Sequence, residues 1–394
     1  MNLDAARRVA DAVLYEGYIL YPYRASAQKN RSRWQFGVLM PPGYADPSET
    51  SRLRAECIIE HSGAPSVTVI VRFLQVQRRT RLAAARDPAI PASWDEAVEQ
   101  EVVATVGMTD FEVAGGAEHE ADIVRTRTPL SGTVSVSVAP LPGPWQASRL
   151  TVEVTNRTAL TSPANREAAL PAALVAAHLI ANVNDGLFLS MTDPPEWAKP
   201  AVEDCHNTGC WPVLATPDRR VMLASPIILP DYPQVAPESA GELYDGTEID
   251  EILTLRTLAL SDEEKREARA TDPRAAALLD RVESMDSSAM SRLHGTFRTP
   301  DVPWWDPAAD ASVSPDTDAV TVAGQRIARG SRVTLRPGVR RADAQDMFLA
   351  GRAALVEAVL LDVDDNPYLA VSLVDAPDTG HGRFLYFSPD EVEP

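Results

Sequence analysis

The 394-residue sequence predicts an α+β protein that is mainly β. Three observations predict this class: short alternating segments fill residues 15–157, helical periodicity marks the middle of the chain, and a second group of short strands fills residues 320–394. We therefore expect an N-terminal antiparallel β-sandwich-like domain over 1–160 and a helical and irregular segment packed on it over 161–295. A linker over 296–319 and a small C-terminal SH3-like β-barrel over 320–394 complete the prediction.

The N-terminal region begins with an amphipathic helix over 3–14 and then changes to the period of strands. Its clearest strand is 132–139, where valines from Val134 to Val138 alternate with hydroxyl residues and predict one buried and one solvated face. The other predicted strands are 17–24, 33–40, 55–61, 66–78, 99–107, 121–127 and 148–155.

The middle of the chain has helical signals separated by an irregular segment. Residues 166–183 carry apolar residues at helical spacing and predict a helix, whereas 187–243 are rich in Pro, Asp and Gly and predict loops with room for a hairpin. Three further helices follow. The first has an apolar stripe from Ile249 to Leu258, the second begins with a capping box from Ser261 to Glu264, and the third begins at Asp272-Pro273.

The C-terminal region contains a proline-rich linker and then short strands. The linker includes the adjacent pair Trp304 and Trp305, which we expect to contact another surface. Strands are predicted at 320–322, 331–335, 352–361, 367–373 and 383–387, a number and spacing that resemble a small SH3-like barrel. Such barrels often serve as adapters, although fold alone does not establish function.

Charge and cysteine content restrict the classes of function. The formal net charge is -19, which argues against a nucleic-acid partner because that affinity depends on Lys and Arg. Three cysteines are too few for a disulfide framework and fit a reducing compartment. The N-terminus lacks the apolar core of a signal peptide, and no apolar run reaches the roughly 20 residues of a membrane span. We expect a soluble, cytoplasmic protein that does not insert into membranes.

The acidity is uneven, and this asymmetry predicts a docking surface. Residues 1–90 carry 13 basic and 8 acidic side chains, and a basic turn follows a run that contains four of the nine tyrosines. Tyrosine and tryptophan favour sites that are partly apolar and partly wet, so we expect this turn to bind a protein partner. The predicted partner-binding residues are Arg24, Lys29, Arg31, Arg33, Trp34, Trp304 and Trp305.

One short segment has the residue types of a metal site. Cys205, His206 and Cys210 lie within six residues and could ligate zinc or nickel, although no second pair of ligands accompanies them and a plain loop is the alternative. The acidic residues from Glu238 to Glu251 are interpreted as helix-start residues. The usual signatures of NTPases, dehydrogenases and zinc or serine hydrolases are absent, so we predict no catalytic residues and no cofactor beyond that possible metal.

Several segments together resemble an uncharacterised actinobacterial protein family encoded beside uptake-type nickel-iron hydrogenase genes. The segments are Leu14 to Leu39, Arg72 to Arg79, Asp193 to Trp197, Ser225 to Ser239, Thr247 to Leu253, Asp262 to Ala276 and Gly382 to Phe387. The resemblance implies an association with the hydrogenase and assigns no catalytic residue.

Three hypotheses about function remain open at this point. The first is a non-catalytic accessory protein that contacts a hydrogenase subunit or accessory protein during maturation or assembly. The second is a nickel-, iron- or zinc-binding protein that uses Cys205, His206 and Cys210. The third is an unrecognised hydrolase, with its pocket between the sandwich and residues 187–243.

Overall fold

A computed structural model shows that the chain forms two compact units, Met1–Thr296 and Phe297–Pro394. The structure describes residues 3–44, 46, 48–82, 91–160, 165–236, 239, 241–246, 249–285, 318–337, 349–361, 367–374 and 385–394. Antiparallel sheets dominate both units, and a small number of helices accompany them. The predicted class, α+β and mainly β, is confirmed.

One strand of 30 residues, β1 (Arg52–Arg81), organises the first unit. It pairs with β7 (Ala147–Asn156) through its first part and with β2 (Ser93–Thr105) through its second. Along its other edge it pairs with β8 (Val175–Phe188) and finally with β5 (Ile123–Arg127). The two strands predicted at 55–61 and 66–78 are therefore one continuous strand.

The remaining strands fold this sheet back on itself. The hydrogen-bonded order of the strands is β3-β6-β7-β1-β8-β10-β9. Strand β2, which pairs with the second half of β1, continues through Val106 into β3. Strand β3 is separated from the first half of β1 by β6 and β7. The sheet encloses an apolar core to which β6 contributes Val134 and Val136, as the alternation predicts. The bounds are β3 (Gly107–Val113), β4 (Gly116–Glu120), β6 (Leu130–Pro140), β9 (Trp211–Leu214) and β10 (Val221–Ser225).

The helices cover the outside of the sheet. Helix α1 (Asp4–Tyr15) packs Val9 and Ala10 on the outer face of β1, β8 and β10. The other helices are α2 (Arg166–Ala169), α3 (Lys199–Glu203), α4 (Asp250–Leu258), α5 (Asp262–Thr271) and α6 (Pro273–Glu283). The capping box of Ser261 and Glu264 is formed, and Asp272 caps α6, so the predicted starts of both helices are confirmed.

The tyrosine-rich segment does not form the strands predicted at 17–24 and 33–40. Residues Gln28–Ser32 form a 3-10 helix, and Tyr23 and Trp34 have φ values of 63° and 59°, outside the extended region. Aromatic residues favour strands on average, but here they pack in several directions into a second core that α4, α5 and α6 complete.

The helix predicted over 166–183 is also wrong. Helix α2 ends at Ala169, and Val175–Phe188 is a central strand that pairs with β1 on one edge and β10 on the other. A strand buried on both faces has no alternation, so its apolar run can match helical spacing by chance. The sheet consequently continues past residue 160, where the sequence had predicted a domain boundary. The hairpin envisaged within 187–243 is formed by β9 and β10.

The second unit is a small antiparallel β domain with its own core. Strands β13 to β16 are successive neighbours, and β17 returns to pair with β13, which is the strand order of the predicted SH3-like barrel. The bounds are β11 (Ala319–Val322), β12 (Gln325–Ala328), β13 (Arg332–Leu335), β14 (Ala353–Leu361), β15 (Pro367–Leu373), β16 (Leu385–Phe387) and β17 (Val392–Glu393). The predicted linker lies almost entirely outside the described residues.

The buried histidine of β8 predicts a pH-dependent stability. Burial lowers the pKa of His178 to about 4, and its Nδ1 lies 2.8 Å from the carbonyl oxygen of Ala176. Because the unfolded chain protonates this imidazole near pH 6.5, the free energy of unfolding should fall as the pH drops from 6.5 toward 4, by at most about 3 kcal/mol.

Urea denaturation at pH 7 and pH 4.5 measures this effect, with His178→Leu as the variant that removes the titrating ring. We expect the stability of the variant to depend less on pH than that of the parent protein. An NMR titration of the His178 ring with a midpoint near pH 6.5 would contradict the prediction.

Candidate docking surface

The tyrosines of residues 15–23 fasten the N-terminal segment to the rest of the first unit. Tyr18 donates a hydrogen bond from its hydroxyl to Asp272 Oδ2 at 2.9 Å, and Tyr23 donates to the carbonyl oxygen of Leu243 at 2.9 Å. Both side chains are buried. Trp94 also donates to Asp272, at 3.0 Å, so one capping carboxylate of α6 holds two aromatic side chains. These tyrosines have a structural role.

Arg33 and Trp34 lie in the interior, so the expectation that they are part of a surface is wrong. Arg33 is 6% exposed, and its guanidinium carbon lies 3.7 Å from the ring centroid of Trp94 and 4.1 Å from that of Trp34. Its nitrogens donate to the carbonyl oxygens of Tyr18, at 3.1 Å, and Asp95. Burial lowers the pKa of Arg33 to about 10, and the aromatic faces and carbonyl oxygens stabilise the charge that remains.

The other three basic residues of the turn reach the surface, but two of them have acidic partners. Arg24 lies 3.1 Å from Glu264 on α5, and Lys29 Nζ lies 2.5 Å from the buried carboxylate of Asp245. Arg31 is exposed and makes no ion pair with any described residue. The turn therefore presents less positive charge than its sequence indicates. Its role in partner binding stays a prediction, and Trp304 and Trp305 lie outside the described residues.

The same turn lines a groove of about 530 Å³. Its apolar lining comes from Gly17, Leu20, Trp34 and the partly exposed Phe36. The polar residues that line it are Glu16, Gln28, Lys29, Ser32, Arg33 and Gln35. A groove that combines apolar surface with charged and amide side chains is a candidate binding site.

The apolar stripe of α4 is exposed, although amphipathic helices usually bury such a stripe. Ile249, Ile252, Leu255 and Leu258 recur every third residue and are between 37% and 62% exposed. The residues that α4 buries are on its opposite side, among them Leu253 and Thr257. Within the helix, Ile252, Leu255 and Leu258 form a band of exposed aliphatic side chains, which is a candidate interaction surface.

Contacts join the turn to residues that precede α4 and to a residue near the end of α4. Before the helix, Lys29 pairs with Asp245, and Glu16 Oε1 accepts a hydrogen bond from the backbone nitrogen of Gly246 at 2.7 Å. Near its end, the hydroxyl of Tyr21 lies 3.5 Å from the carbonyl oxygen of Arg256. We call the groove and the stripe together the docking face.

A second cavity, of about 340 Å³, lies between α1 and residues 235–250. It is lined by the carboxyl groups of Asp11, Glu16, Glu242 and Asp250, and burial raises the pKa of Glu16 and Glu242. Such carboxyl groups hold protons more tightly than exposed ones and can act as acids. Part of the lining, including Val235 and Leu243, belongs to the segment 187–243 of the hydrolase hypothesis, which stays a prediction. Glu16 also accepts a hydrogen bond from the backbone nitrogen of Gly246.

The Cys205–Cys210 loop is fastened to β1 through backbone and amide groups. His206 donates its backbone N–H to Glu56 Oε2 at 2.7 Å, and Asn207 Oδ1 accepts from the backbone nitrogen of Glu56 at 2.7 Å. Burial raises the pKa of Cys205 to about 11 and that of Cys210 to about 12, so both thiols are protonated at neutral pH. Over the described ranges, no three His, Cys, Asp or Glu side chains are grouped closely enough to hold a metal ion.

Comparison with known proteins gives this chain no family. No model of a protein family matches the sequence, and no curated protein matches it. Among the described helices, none combines the length and the apolar character needed to cross a bilayer.

The position of Arg33 predicts that it contributes strongly to stability. Arg33→Ala would leave two buried carbonyl oxygens without their donor and a cavity between two indole rings, so we expect a loss of about 2–4 kcal/mol in the free energy of unfolding. Arg33→Lys should recover only part of it, because an ammonium group cannot stack on both rings.

The matched control is Arg31→Ala, two residues away and exposed, which should change stability by no more than about 0.5 kcal/mol. Urea denaturation of the three variants and the parent protein provides the comparison. Equal stability of the two alanine variants would show that the buried guanidinium of Arg33 does not contribute to the free energy of unfolding.

Proposed function

We propose that this chain is a non-catalytic accessory protein that binds another protein through its docking face. The observation that carries the proposal is the exposed aliphatic stripe of α4. Exposed apolar surface is unfavourable in water, and a protein partner that covers it gains the corresponding hydrophobic free energy. The adjoining groove offers a place for an aromatic or aliphatic side chain of the same partner.

The charges beside the docking face favour a partner with both signs of charge. Arg31 is exposed beside the groove, whereas Asp262 and Glu263 are exposed just after α4. A suitable partner is an amphipathic helix whose apolar face covers the stripe. Acidic residues at one end of that helix would pair with Arg31, and basic residues at its other end would pair with Asp262 and Glu263. A nucleic acid would meet repulsion from a chain with a net charge of -19.

The resemblance to proteins encoded beside nickel-iron hydrogenase genes supplies the candidate partner. We propose that the partner is a hydrogenase subunit or one of its accessory proteins, and that binding assists maturation or assembly. The three cysteines are free, which supports action in the cytoplasm.

Co-purification tests the identity of the partner. The tagged full-length chain is expressed together with the subunits and maturation proteins of an uptake-type nickel-iron hydrogenase, and we expect at least one of them to be retained at moderate salt concentration. Recovery of none of them would remove the hydrogenase from the proposal.

Charge substitutions on α4 test the surface itself. Ile252→Asp and Leu255→Asp should each weaken binding of the retained partner by about tenfold or more, because an aspartate would lose its hydration at the interface. The control is Ile228→Asp, since Ile228 is exposed and lies outside α4. Unchanged affinity in both α4 variants, with thermal unfolding like that of the parent protein, would place the interface elsewhere.

A further inference from the structure

Two tryptophans form a stacked pair on the surface of the first unit, outside the docking face. Trp145 lies in the loop between β6 and β7, and Trp197 lies in a short 3-10 helix just before α3. Their ring centroids are 4.9 Å apart with an interplanar angle of 24°. Trp145 is 52% exposed, so an outer indole face is open to solvent.

The tryptophan pair lines a cavity of about 270 Å³. Two prolines, Pro142 and Pro200, and small or aliphatic side chains make the rest of its apolar lining. Neither indole nitrogen of the pair donates a hydrogen bond to a described residue.

One edge of the cavity is charged. Arg149 Nη2 donates to Asp204 Oδ2 at 3.2 Å and lies 3.4 Å from the carbonyl oxygen of Ala201. The Asp204 side chain remains largely exposed, and the adjacent Glu203 is exposed as well. Because Arg149 compensates only one of these two carboxylates, the edge attracts a cation.

We propose that this cavity binds a proline-rich, extended segment of another protein that carries an arginine or lysine. Proline rings are compact and apolar and pack well against indole faces. A polyproline II segment has no internal hydrogen bonds, so its carbonyl oxygens are free to accept from the two indole N–H groups. The basic residue of the segment meets Asp204 and Glu203, which fixes the direction in which the segment binds.

The lining favours a peptide over a carbohydrate, which also stacks on tryptophan. A sugar ring carries several hydroxyl groups, and each needs a polar partner when it is buried. Among the residues that line the cavity, Arg149 and Asp204 are the two with charged side chains, which is few for the several hydroxyl groups of a sugar. A proline-rich segment needs fewer donors and acceptors and is already ordered before it binds.

Fluorescence anisotropy on the full-length protein tests the proposal, with a short fluorescein-labelled peptide of the repeat Pro-Pro-Arg. We expect saturable binding that Trp145→Ala weakens by about tenfold. Trp211→Ala is the control, because Trp211 is also partly exposed and does not line this cavity. The repeat Ala-Ala-Arg should bind about tenfold more weakly than Pro-Pro-Arg.

A second variant separates recognition from folding. Asp204→Asn keeps the shape of the side chain and should weaken binding of the Pro-Pro-Arg peptide while leaving a Pro-Pro-Gln peptide unchanged. Equal binding of Pro-Pro-Arg and Ala-Ala-Arg, or equal binding by the parent protein and Trp145→Ala, would overturn the proposal. So would binding of maltohexaose that Trp145→Ala abolishes, in the absence of peptide binding.

Discussion

The first unit depends on the antiparallel pairing of β1 with four other strands. The odd-numbered residues of β1 from Leu53 to Ile59 and from Val67 to Phe73 face the core inside the folded sheet, whereas Ile70, Leu74 and Val76 face the helices. A shift in register by one residue would exchange these two sets and expose both cores at once. The pairing of β1 thus fixes the positions of α1, of the tyrosine-rich segment and, through that segment, of α4 to α6.

The tyrosine-rich segment connects the sheet to the docking face through a shared core. Its aromatic side chains share a core with Leu74 and Val76 of β1 and with residues of α5 and α6. The hydroxyl of Tyr18, the guanidinium of Arg33 and the carboxylate of Asp272 satisfy polar groups inside that core. Because α4 is held from one side by this core, its opposite, apolar side is exposed.

Sequence alone predicts the elements whose signals are local. The alternation at 132–139 gives β6, and the Ser261–Glu264 capping box and Asp272-Pro273 give the starts of α5 and α6. It fails for β8, because a strand covered on both faces has no alternation. Sequence also fails to predict the position of Arg33, because a charged side chain normally favours the surface. The two indole rings and two carbonyl oxygens that surround its guanidinium come from several parts of the sequence. The exposure of the α4 stripe depends on which side of the helix the rest of the first unit's described residues cover, and periodicity cannot report that.

The length of β1 also has a consequence for synthesis on the ribosome. Its edge from Ile59 to Leu74 is completed by β8, which is made more than 100 residues later, so the nascent chain carries an apolar strand with an unpaired edge until β8 has been synthesised. Contacts this distant in sequence form slowly. Nascent chains of this protein are therefore expected to depend on ribosome-associated chaperones more than chains whose sheets are built from successive hairpins.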